Sequence, residues 1–410
     1  MTLSETLKKR GFLYQTSTDK IAEIFDGQKR TVYLGVDPTA DSIHVGNLVA
    51  YMLMRRLSDA GHKIILLVGG GTGLIGDPKP DVERPLLNES EISERTRQLQ
   101  TQAAHLLGDT NVEIVNNADW LTKIGLIEFL RDTGKHFTVN SLVKKDAISA
   151  RMQSEEGISF TEFSYPLLQA YDFWHLYRQH GCDVQIGGSD QWGNIIAGTD
   201  LIRRKEGKIA YAVTIPLITE KSTGKKFGKS EGNAIWLDPK KTSPFDFYQF
   251  WFNTEDASVS DFLNLFTFLS DEDIDKIMTD HHVKPHERMA QIRLGFEITS
   301  LVHGLDTAEL VQKASAVLFS SEITEISDEV KALLIEQAKT TNVTPGQTVI
   351  DVLVQCGLAP SKREARQLLS DGAVSLNKKK TGDRPLAEND FINGLAVLRK
   401  GKKHSTILVI

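Results

Sequence analysis

The chain has 410 residues, of which 40% are hydrophobic and 25% charged, and its formal net charge is −6. This length exceeds what one compact core accommodates, so we expect two or three domains. No apolar run approaches the ~20 residues that a membrane-spanning helix needs, and residues 1–12 lack the apolar stretch of a signal peptide. These features argue against a membrane protein and predict a cytoplasmic one.

The first half of the chain alternates strand-like and helix-like stretches. Strands are predicted at Thr31–Val36, Lys63–Val68, Val112–Asn116, Asp183–Ile186 and Ala210–Ile215. Helices are predicted at Asn47–Ala60, Glu89–Leu107 and Ser164–His180. Because such alternation is typical of βαβ units, we expect an α/β fold with a doubly wound, mostly parallel, Rossmann-like sheet.

Two further units are expected after this sheet. Residues 244–319 have a largely helical pattern, residues 321–346 are polar enough to form a linker around one short helix, and residues 347–410 combine two short helices with three strands. The predicted organisation is a sheet-containing domain (1–225), a loop and helical domain (226–320), a linker (321–346) and a small α+β domain (347–410).

The two cysteines, Cys182 and Cys356, are far apart in sequence and neither belongs to a CxxC pair. We therefore expect neither a disulfide nor a structural zinc site, and no other metal site is predicted.

A turn after the first predicted strand has the features of an anion site. It runs from Asp37 through Thr39 to His44-Val45-Gly46-Asn47 and leads directly into a predicted helix. A helix N-terminus presents free N–H groups and the positive end of the helix dipole to an anion, and His44 and Asn47 add donors. Taken alone, a capping turn explains this tetrapeptide about as well.

A loop containing lysines lies about 180 residues further along the chain. Lys226 and Lys229 flank Phe227-Gly228 in a segment rich in Gly, Ser and Thr. If the fold joins this loop to the His44 turn, the two ammonium groups would surround a polyphosphate and neutralise charge as pyrophosphate departs. A solvated basic loop is the alternative.

Residues 71–76 match GxGxxG after a strand, but the segment does not predict a dinucleotide site. Asp77-Pro78-Lys79-Pro80 follows at once and breaks the helix that such a site requires. We expect these glycines to let the backbone approach a ligand that Asp77 faces.

Three polar residues share one face of the predicted helix Ser164–His180. Tyr165, Gln169 and Asp172 are spaced i, i+4, i+7 beside apolar residues that should pack on the sheet. Polar groups that face a core need a ligand or a network, so this face predicts a binding site. A solvent-exposed face is the alternative.

Residues 187–194 follow the strand Asp183–Ile186. Ligands of open parallel sheets bind beyond the carboxyl ends of the strands. Asp190 is therefore a candidate to accept from ribose hydroxyls, with room for adenine at the glycines, whereas a turn capped by Asp190 is the alternative.

The end of the chain is basic. Residues 347–410 carry 11 Lys and Arg against 6 Asp and Glu, and Lys362, Arg363 and Arg366 share one side of a short predicted helix. This pattern suits a surface that tracks the phosphates of structured RNA, although a solvated surface also has it.

Together these motifs resemble those of the class I aminoacyl-tRNA synthetases, and within them the bacterial tyrosyl-tRNA synthetases. His44-Val45-Gly46-Asn47 is similar to the HIGH signature of the class, and Lys226-Phe227-Gly228-Lys229-Ser230 to its KMSKS signature. The resemblance covers nearly the whole chain, and residues 347–410 resemble a small RNA-binding module shared with a ribosomal protein.

The resemblance implies activation of L-tyrosine by ATP and its transfer to tRNA(Tyr). Tyr33 and Asp172 would bind the phenol of tyrosine. The implied partners of its α-ammonium group are Asp77, Tyr165 and Gln169, and Gln191 would lie beside its carboxyl group. The implied groups that stabilise departing pyrophosphate are Thr39, His44, Asn47, Lys226 and Lys229. The implied ATP site comprises Gly35, Asp37, Gly46, Gly188, Asp190 and Lys229.

The resemblance also implies Mg2+ bound with ATP, and a homodimer whose interface lies around residues 160–163. The chain departs from the family at two places: Asn47 stands where many members have a second histidine, and the loop after Asp77 is shorter than the family's lysine-rich version, with Arg84 a match for its arginine. A tryptophan-activating relative and a catalytically silent RNA-binding protein are the alternative functions.

Overall fold

The computed structural model describes residues 1–78, 88–108, 112–154, 157–219, 227–230, 233–319, 325–401 and 404–410. The chain divides into two compact units. The first, which we call the sheet unit, comprises residues 1–241 and 257–274. The second, the helical unit, comprises residues 242–256 and 275–410.

A six-stranded sheet forms the centre of the sheet unit. Its strands are β1 (Gln15–Thr16), β2 (Thr31–Val36), β3 (Lys63–Val68), β4 (Val112–Asn116), β5 (Cys182–Gly188) and β6 (Tyr211–Ile215). Their order is β1-β6-β5-β2-β3-β4, with β1 antiparallel to β6 and all other neighbours parallel. The predicted doubly wound parallel sheet is therefore confirmed. The chain order reverses between β2 and β5, and in such sheets ligands bind at the carboxyl ends of the strands at this point.

Helices precede, separate and follow these strands along the chain. They are α1 (Leu3–Lys9), α2 (Ile21–Phe25), α3 (Val45–Asp59), α4 (Glu89–Leu107), α5 (Ala118–Leu121), α6 (Leu126–Asp132), α7 (Val139–Leu142), α8 (Asp146–Met152), α9 (Phe160–His180) and α10 (Trp192–Glu206). Two short strands, β7 (Lys229–Ser230) and β8 (Asn233–Ala234), pair with each other in antiparallel orientation.

Helix α9 begins four residues earlier than the sequence predicted. The Ser159 side chain accepts from the backbone N–H of Glu162, and the Glu162 carboxylate accepts from that of Ser159. This reciprocal capping box satisfies two N–H groups at the helix start and fixes the boundary there. The helix also continues through Pro166.

The later part of the chain is helical and then mixed. Its elements are α11 (Pro244–Phe252), α12 (Asp256–Phe266), α13 (Asp271–Val283), α14 (Met289–His303), α15 (Leu305–Phe319), α16 (Asp328–Gln337), β9 (Thr340–Asn342), α17 (Val349–Gln355), α18 (Lys362–Ser370), β10 (Val374–Leu376), β11 (Lys379–Lys380), β12 (Leu395–Lys400) and β13 (His404–Val409). The strands form a second sheet in the order β11-β10-β12-β13-β9.

The described part of the predicted linker, residues 325–346, contains one short helix, as the sequence predicted, and a strand that was not predicted. Helix α16 buries Val330 and Leu334 in one apolar cluster with Phe245 and Tyr248 of α11, and β9 pairs in parallel with β13. The polar composition concealed β9, which joins the sheet through its backbone, and the burial of two side chains of α16 in an apolar cluster.

Among the described residues, no helix is both long enough and apolar enough to cross a membrane.

Candidate active site

The two signature segments meet in the sheet unit, as predicted from the sequence. The Val45 N–H donates to the Ile235 carbonyl (3.0 Å), and the Ile235 N–H donates to the Gly228 carbonyl (2.9 Å). Gly228 has a φ of +83°, and a Cβ there would lie 2.6 Å from Cγ2 of Val45. Only glycine allows this approach, so the backbone of the loop lies directly against the start of α3. Lys226 lies outside the described residues, and Lys229 is described through its backbone, which pairs with Ala234.

His44 is the N-cap of α3. Its Nδ1 accepts from the backbone N–H of Gly46 at 3.0 Å, and its ring meets Trp236 edge-on with centroids 5.9 Å apart. Because Nδ1 accepts, the neutral ring carries its proton on Nε2 and can donate from that nitrogen. His44 therefore has the capping role that the sequence offered as an alternative. Asn47 is exposed in the first turn of the helix.

Further residues of the predicted nucleotide site lie at the carboxyl ends of β2 and β5 or shortly after them. Gly35 and Thr39 are exposed, and the Thr39 carbonyl accepts from Arg95 at 3.0 Å. Asp190 is exposed just after β5, and a Cβ on Gly188 would lie 2.5 Å from its Oδ1. Since β2 and β5 are neighbouring parallel strands, these groups share one edge of the sheet, at the reversal of strand order.

Asp172 is buried on α9 and holds two hydrogen bonds. Asn117 Nδ2 donates to its Oδ2 at 2.8 Å, and the Trp120 indole N–H donates to its Oδ1 at 2.7 Å. Burial is the main cause that raises the pKa of Asp172 to about 7, and the two hydrogen bonds act against it. Neither Asn117 nor Trp120 was predicted from the sequence as a site residue. Their signal was their position, directly after β4 and at the edge of the sheet to which ligands bind.

Tyr33 and Gln169 contribute buried polar atoms to the same region. The Tyr33 side chain is 1% exposed, and its hydroxyl has no hydrogen-bond partner among the described residues; the same holds for Oε1 of Gln169. Burial, aided by the charge of Asp172, raises the pKa of the Tyr33 hydroxyl well above its usual range. A buried hydroxyl without a partner costs free energy, which a ligand with a complementary group recovers.

Tyr165 and Asp37, predicted to serve different parts of the site, bond to each other. The Tyr165 hydroxyl donates to Oδ2 of Asp37 at 2.8 Å, and the Thr72 hydroxyl donates to its Oδ1 at 2.8 Å. Asn117 Nδ2 also donates to the Thr72 hydroxyl at 2.9 Å. A single hydrogen-bonded chain thus runs from Asp172 through Asn117, Thr72 and Asp37 to Tyr165.

The glycines after β3 permit this network. A Cβ on Gly69 would lie 2.0 Å from Oδ1 of Asp37, and the Gly71 N–H donates to Oδ1 of Asn117 at 2.7 Å. The observed partners of Gly69 and Gly71 are side chains of the protein, and the approach of residues 71–76 to a ligand stays a prediction.

Asp77 and Gln191, from different segments, come together as well. Gln191 Nε2 donates to Oδ2 of Asp77 at 2.8 Å, and Asn194 Nδ2 donates to its Oδ1 at 3.3 Å. Lys145 supports this turn by donating to the Gly193 carbonyl, and burial lowers the pKa of its ammonium group to about 8. The predicted loop residues that follow Asp77 at positions 79–84 lie outside the described residues.

The predicted RNA-binding residues belong to the helical unit. Lys362, Arg363 and Arg366 are exposed on α18, whose residue Ala365 is buried on the other face. Lys362 also forms an ion pair with Asp351 at 2.6 Å.

Large apolar side chains are exposed within the segment predicted as a dimer interface and at two positions that precede it in the sequence. Phe160, Val139 and Met152 are 77%, 64% and 51% exposed. Their sequence neighbours Arg151 and Glu162, in contrast, form a buried ion pair at 3.2 Å.

Within the described residues, no cluster of three or more His, Cys, Asp or Glu side chains is arranged to hold a metal ion.

Two family models match the chain. One, described as tRNA synthetases class I (W and Y), matches residues 26–320, and the other, described as the tyrosine--tRNA ligase SYY-like C-terminal domain, matches residues 329–408.

Curated proteins and solved structures give the same result. The tyrosine--tRNA ligase of Leifsonia xyli subsp. xyli is 47% identical over 96% of this chain and 91% of its own length. That of Lactococcus lactis subsp. cremoris is 44% identical over the full length of both chains. A C-terminally truncated mitochondrial tyrosyl-tRNA synthetase of Aspergillus nidulans superposes with a TM-score of 0.70 at 31% identity, covering 78% of this chain and 94% of that one.

Proposed function

The chain belongs to the class I tRNA synthetases of the tryptophan and tyrosine family, and from this membership we propose that it is an aminoacyl-tRNA ligase that activates L-tyrosine with ATP and transfers it to tRNA(Tyr). The relatives named as tyrosine--tRNA ligases match over essentially the full chain, including the C-terminal domain.

The observation that carries the choice of tyrosine is the buried pair Tyr33 and Asp172. The Tyr33 hydroxyl has no protein partner among the described residues and Asp172 is an acceptor, so together they offer a donor and an acceptor to one phenol. Phenylalanine would leave both groups without a ligand partner in a buried site, which costs more than a missing methylene. The general figure for such discrimination, ~10⁵ against phenylalanine, was itself measured on a tyrosyl-tRNA synthetase and is therefore not an independent prediction for this pocket.

The other end of the amino acid has partners nearby. Asp77, Tyr165 and Gln169 supply carboxylate, hydroxyl and amide oxygens for the α-ammonium group, and Oε1 of Gln169 is buried without a partner among the described residues. Gln191, bonded to Asp77, lies beside the carboxylate that reacts.

The first step joins tyrosine to AMP. The tyrosine carboxylate oxygen attacks the α-phosphorus of Mg-ATP in line, a new O–P bond forms, and the bond to pyrophosphate breaks. Mg2+ enters with ATP as part of that substrate. Thr39, His44, Asn47, Lys226 and Lys229 stabilise the charge on the departing pyrophosphate, so the rate comes from positioning and electrostatics rather than from a general base.

Adenine and ribose occupy the switch point of the sheet. Asp190 accepts from the ribose hydroxyls, and Gly35, Asp37, Gly46 and Gly188 shape the backbone around the nucleotide.

The second step transfers tyrosine to RNA. A terminal hydroxyl of tRNA(Tyr) attacks the activated carbonyl and AMP leaves. Lys362, Arg363 and Arg366 bind phosphates of the tRNA, since they form an exposed basic face on α18. The enzyme acts in the cytoplasm as a homodimer, joined through the exposed apolar surface around Phe160.

The exchange of labelled pyrophosphate into ATP tests this proposal. We expect exchange that depends on tyrosine and is absent with tryptophan or phenylalanine. Exchange that depends on tryptophan would establish the tryptophan-activating alternative. The absence of exchange with any amino acid would support the other alternative, a catalytically silent RNA-binding protein. Asp172→Ala should abolish tyrosine activation, and normal activation by this variant would overturn the assignment of the phenol pocket.

A further inference from the structure

Phe227, the aromatic residue between the two signature lysines, is seated on α12. Its side chain is 7% exposed, and its ring centroid lies 4.6 Å from that of Phe262 and 6.0 Å from that of Phe266. The rings of Phe262 and Phe266 also meet each other edge-on at 5.7 Å. Aromatic pairs at these separations attract beyond their burial alone, so the three rings form a defined seat.

The seat comes from a part of the chain beyond the signature loop. Residues 257–274 follow the first helix of the helical unit in sequence, yet they belong to the sheet unit. Helix α12 and Phe227 therefore belong to the same unit, the sheet unit.

Two arginines hold the end of α12. The Arg56 guanidinium donates to the Thr267 carbonyl and lies over the rings of Phe12 (5.7 Å) and Phe268 (4.9 Å). Arg10, which is 5% exposed, donates to the Leu269 carbonyl at 2.7 Å and pairs with Asp271 at 2.7 Å. Thr267 and Leu269 closely follow the helix. Arg10 also donates to the Asn264 carbonyl in the last turn of the helix at 3.4 Å, where carbonyls lack partners within the helix. These cations therefore fix the position of the helix end.

The seat and the contact with α3 constrain consecutive residues. Phe227 is held by α12, and Gly228 lies against Val45 and Gly46, with a hypothetical Cβ 3.2 Å from the Gly46 nitrogen. Lys226 and Lys229 are the immediate neighbours of this dipeptide in the sequence.

We propose that Phe262 and Phe266 are positioning residues for the activation reaction: by seating Phe227 they set where the lysines on either side of it act. This inference rests on the proposed function for its catalytic consequence, whereas the seat itself is a structural contact. A displacement of about 1 Å at a reacting group can lower a rate by about 100-fold. Loss of the seat should therefore slow adenylate formation without weakening tyrosine binding.

The test measures single-turnover tyrosyl-adenylate formation and the Kd for tyrosine in wild type, Phe262→Ala and Phe262→Leu. We expect Phe262→Ala to lower the rate by about 10- to 100-fold, Phe262→Leu to retain most of it, and the Kd to stay within about twofold. Phe319→Ala is the matched control: it is a partly exposed phenylalanine of the helical unit whose ring contacts Phe252, and it should behave as wild type. An unchanged rate in Phe262→Ala would overturn the inference.

A double-variant cycle distinguishes positioning from a general structural effect. In the Lys229→Ala background, Phe262→Ala should lower the rate by less than about threefold. The contribution of Lys229, through which Phe262 acts, is already absent in that background. A full multiplicative loss in that background would overturn the inference. If Phe262→Ala fails to fold, Phe227→Ala removes the other side of the same contact from a loop and serves with the same expectations.

Trypsin cleavage supplies a readout that does not depend on activity. Cleavage after the lysines at 225, 226 and 229 should be several-fold faster in Phe262→Ala than in wild type and Phe319→Ala at equal thermal stability. If wild type fails to activate tyrosine, the proposed function is wrong, while the cleavage rates still decide whether the seat exists. Equal cleavage rates would overturn it.

Discussion

The Trp120 indole N–H donates to the Asp172 carboxylate at 2.7 Å, while its ring stacks on His175 with centroids 4.3 Å apart. The Trp120 side chain thus hydrogen-bonds Asp172, the acceptor that we assign to the phenol of tyrosine, while the stack on His175 orients the indole ring. Asn117 holds the second carboxylate oxygen at 2.8 Å. In the proposed pocket, the position of this acceptor therefore depends on two neighbours, Trp120 and Asn117.

Trp120→Phe should weaken tyrosine use while preserving the stack on His175. The variant loses a hydrogen bond to a buried carboxylate, a bond worth ~1.5–3 kcal/mol, so we expect kcat/KM for tyrosine to fall by about 10-fold or more. Trp174→Phe is the matched control, since its indole donates to Glu206 instead, at 2.8 Å. Equal effects of the two substitutions in steady-state exchange would show that the bond to Asp172 does not matter.

The pH dependence of tyrosine use should follow Asp172. The pKa of this carboxyl is raised to about 7, chiefly by burial. A phenol donates its hydrogen to the ionised form, so kcat/KM for tyrosine should rise with pH through about 7 and then level off. Asp172→Asn should be less active and lack this rise. A wild-type profile that is flat between pH 6 and 8 would contradict the assignment.

The same pKa predicts how stability changes with pH. The unfolded chain releases the proton of this aspartate near pH 4, whereas the folded chain keeps it until about pH 7. Ionisation is thus unfavourable in the folded state, and folded wild type loses stability as pH rises through this window. The free energy of unfolding of Asp172→Asn relative to wild type should increase from pH 4 to 7, by on the order of 4 kcal/mol at most. Denaturant titrations at both pH values measure it, and a constant difference would contradict the raised pKa.

Gly228→Ala should impair activation through its contact with the first signature. The new Cβ would lie 2.6 Å from Val45, so the loop must move away from α3, and adenylate formation should slow by about 100-fold. Gly11→Ala is a well-matched control because Gly11 has the same φ of +83°, yet a Cβ added there would have nothing within 4 Å. A comparable loss of rate in Gly11→Ala would mean that backbone strain, and not the contact, is responsible.

Removing charge from α18 should affect tRNA and not the amino acid. Arg363→Ala with Arg366→Ala should raise KM for tRNA(Tyr) several-fold. The slope of log Kd for tRNA against log salt concentration should fall by about one per charge removed. Tyrosine-dependent pyrophosphate exchange should stay unchanged. Lys362→Ala should have the smaller effect, since Asp351 already neutralises this side chain in part. Lys20→Ala with Arg97→Ala removes the same charge from exposed positions of the sheet unit and should leave tRNA binding intact. Unchanged salt dependence in the α18 variant would refute its role.

Much of the sheet unit was predictable because its strands are short apolar runs bounded by polar turns. Thr31–Val36, Lys63–Val68 and Val112–Asn116 have the bounds that the sequence predicted. The meeting of Gly228 with Val45 was predictable only as a chemical requirement, since nothing local in either segment encodes a contact between residues so far apart in sequence.

Other features depend on three-dimensional context and could not be found from periodicity. Asn117 and Trp120 act through Asp172, and their residue types alone do not distinguish a hydrogen-bond donor in a pocket from an ordinary turn residue. Helix α12 has the pattern of any amphipathic helix, and its role as a seat for Phe227 follows only from the path of residues 257–274. Strand β9 contributes through its backbone and therefore leaves no side-chain signature.

The most direct test of the central claim is the single-turnover rate of tyrosyl-adenylate formation in Lys229→Ala, measured beside the Kd for tyrosine. If the two signatures stabilise the departing pyrophosphate by charge, the rate should fall by about 100-fold or more while the Kd stays within about twofold of wild type. A wild-type rate in this variant would contradict the account.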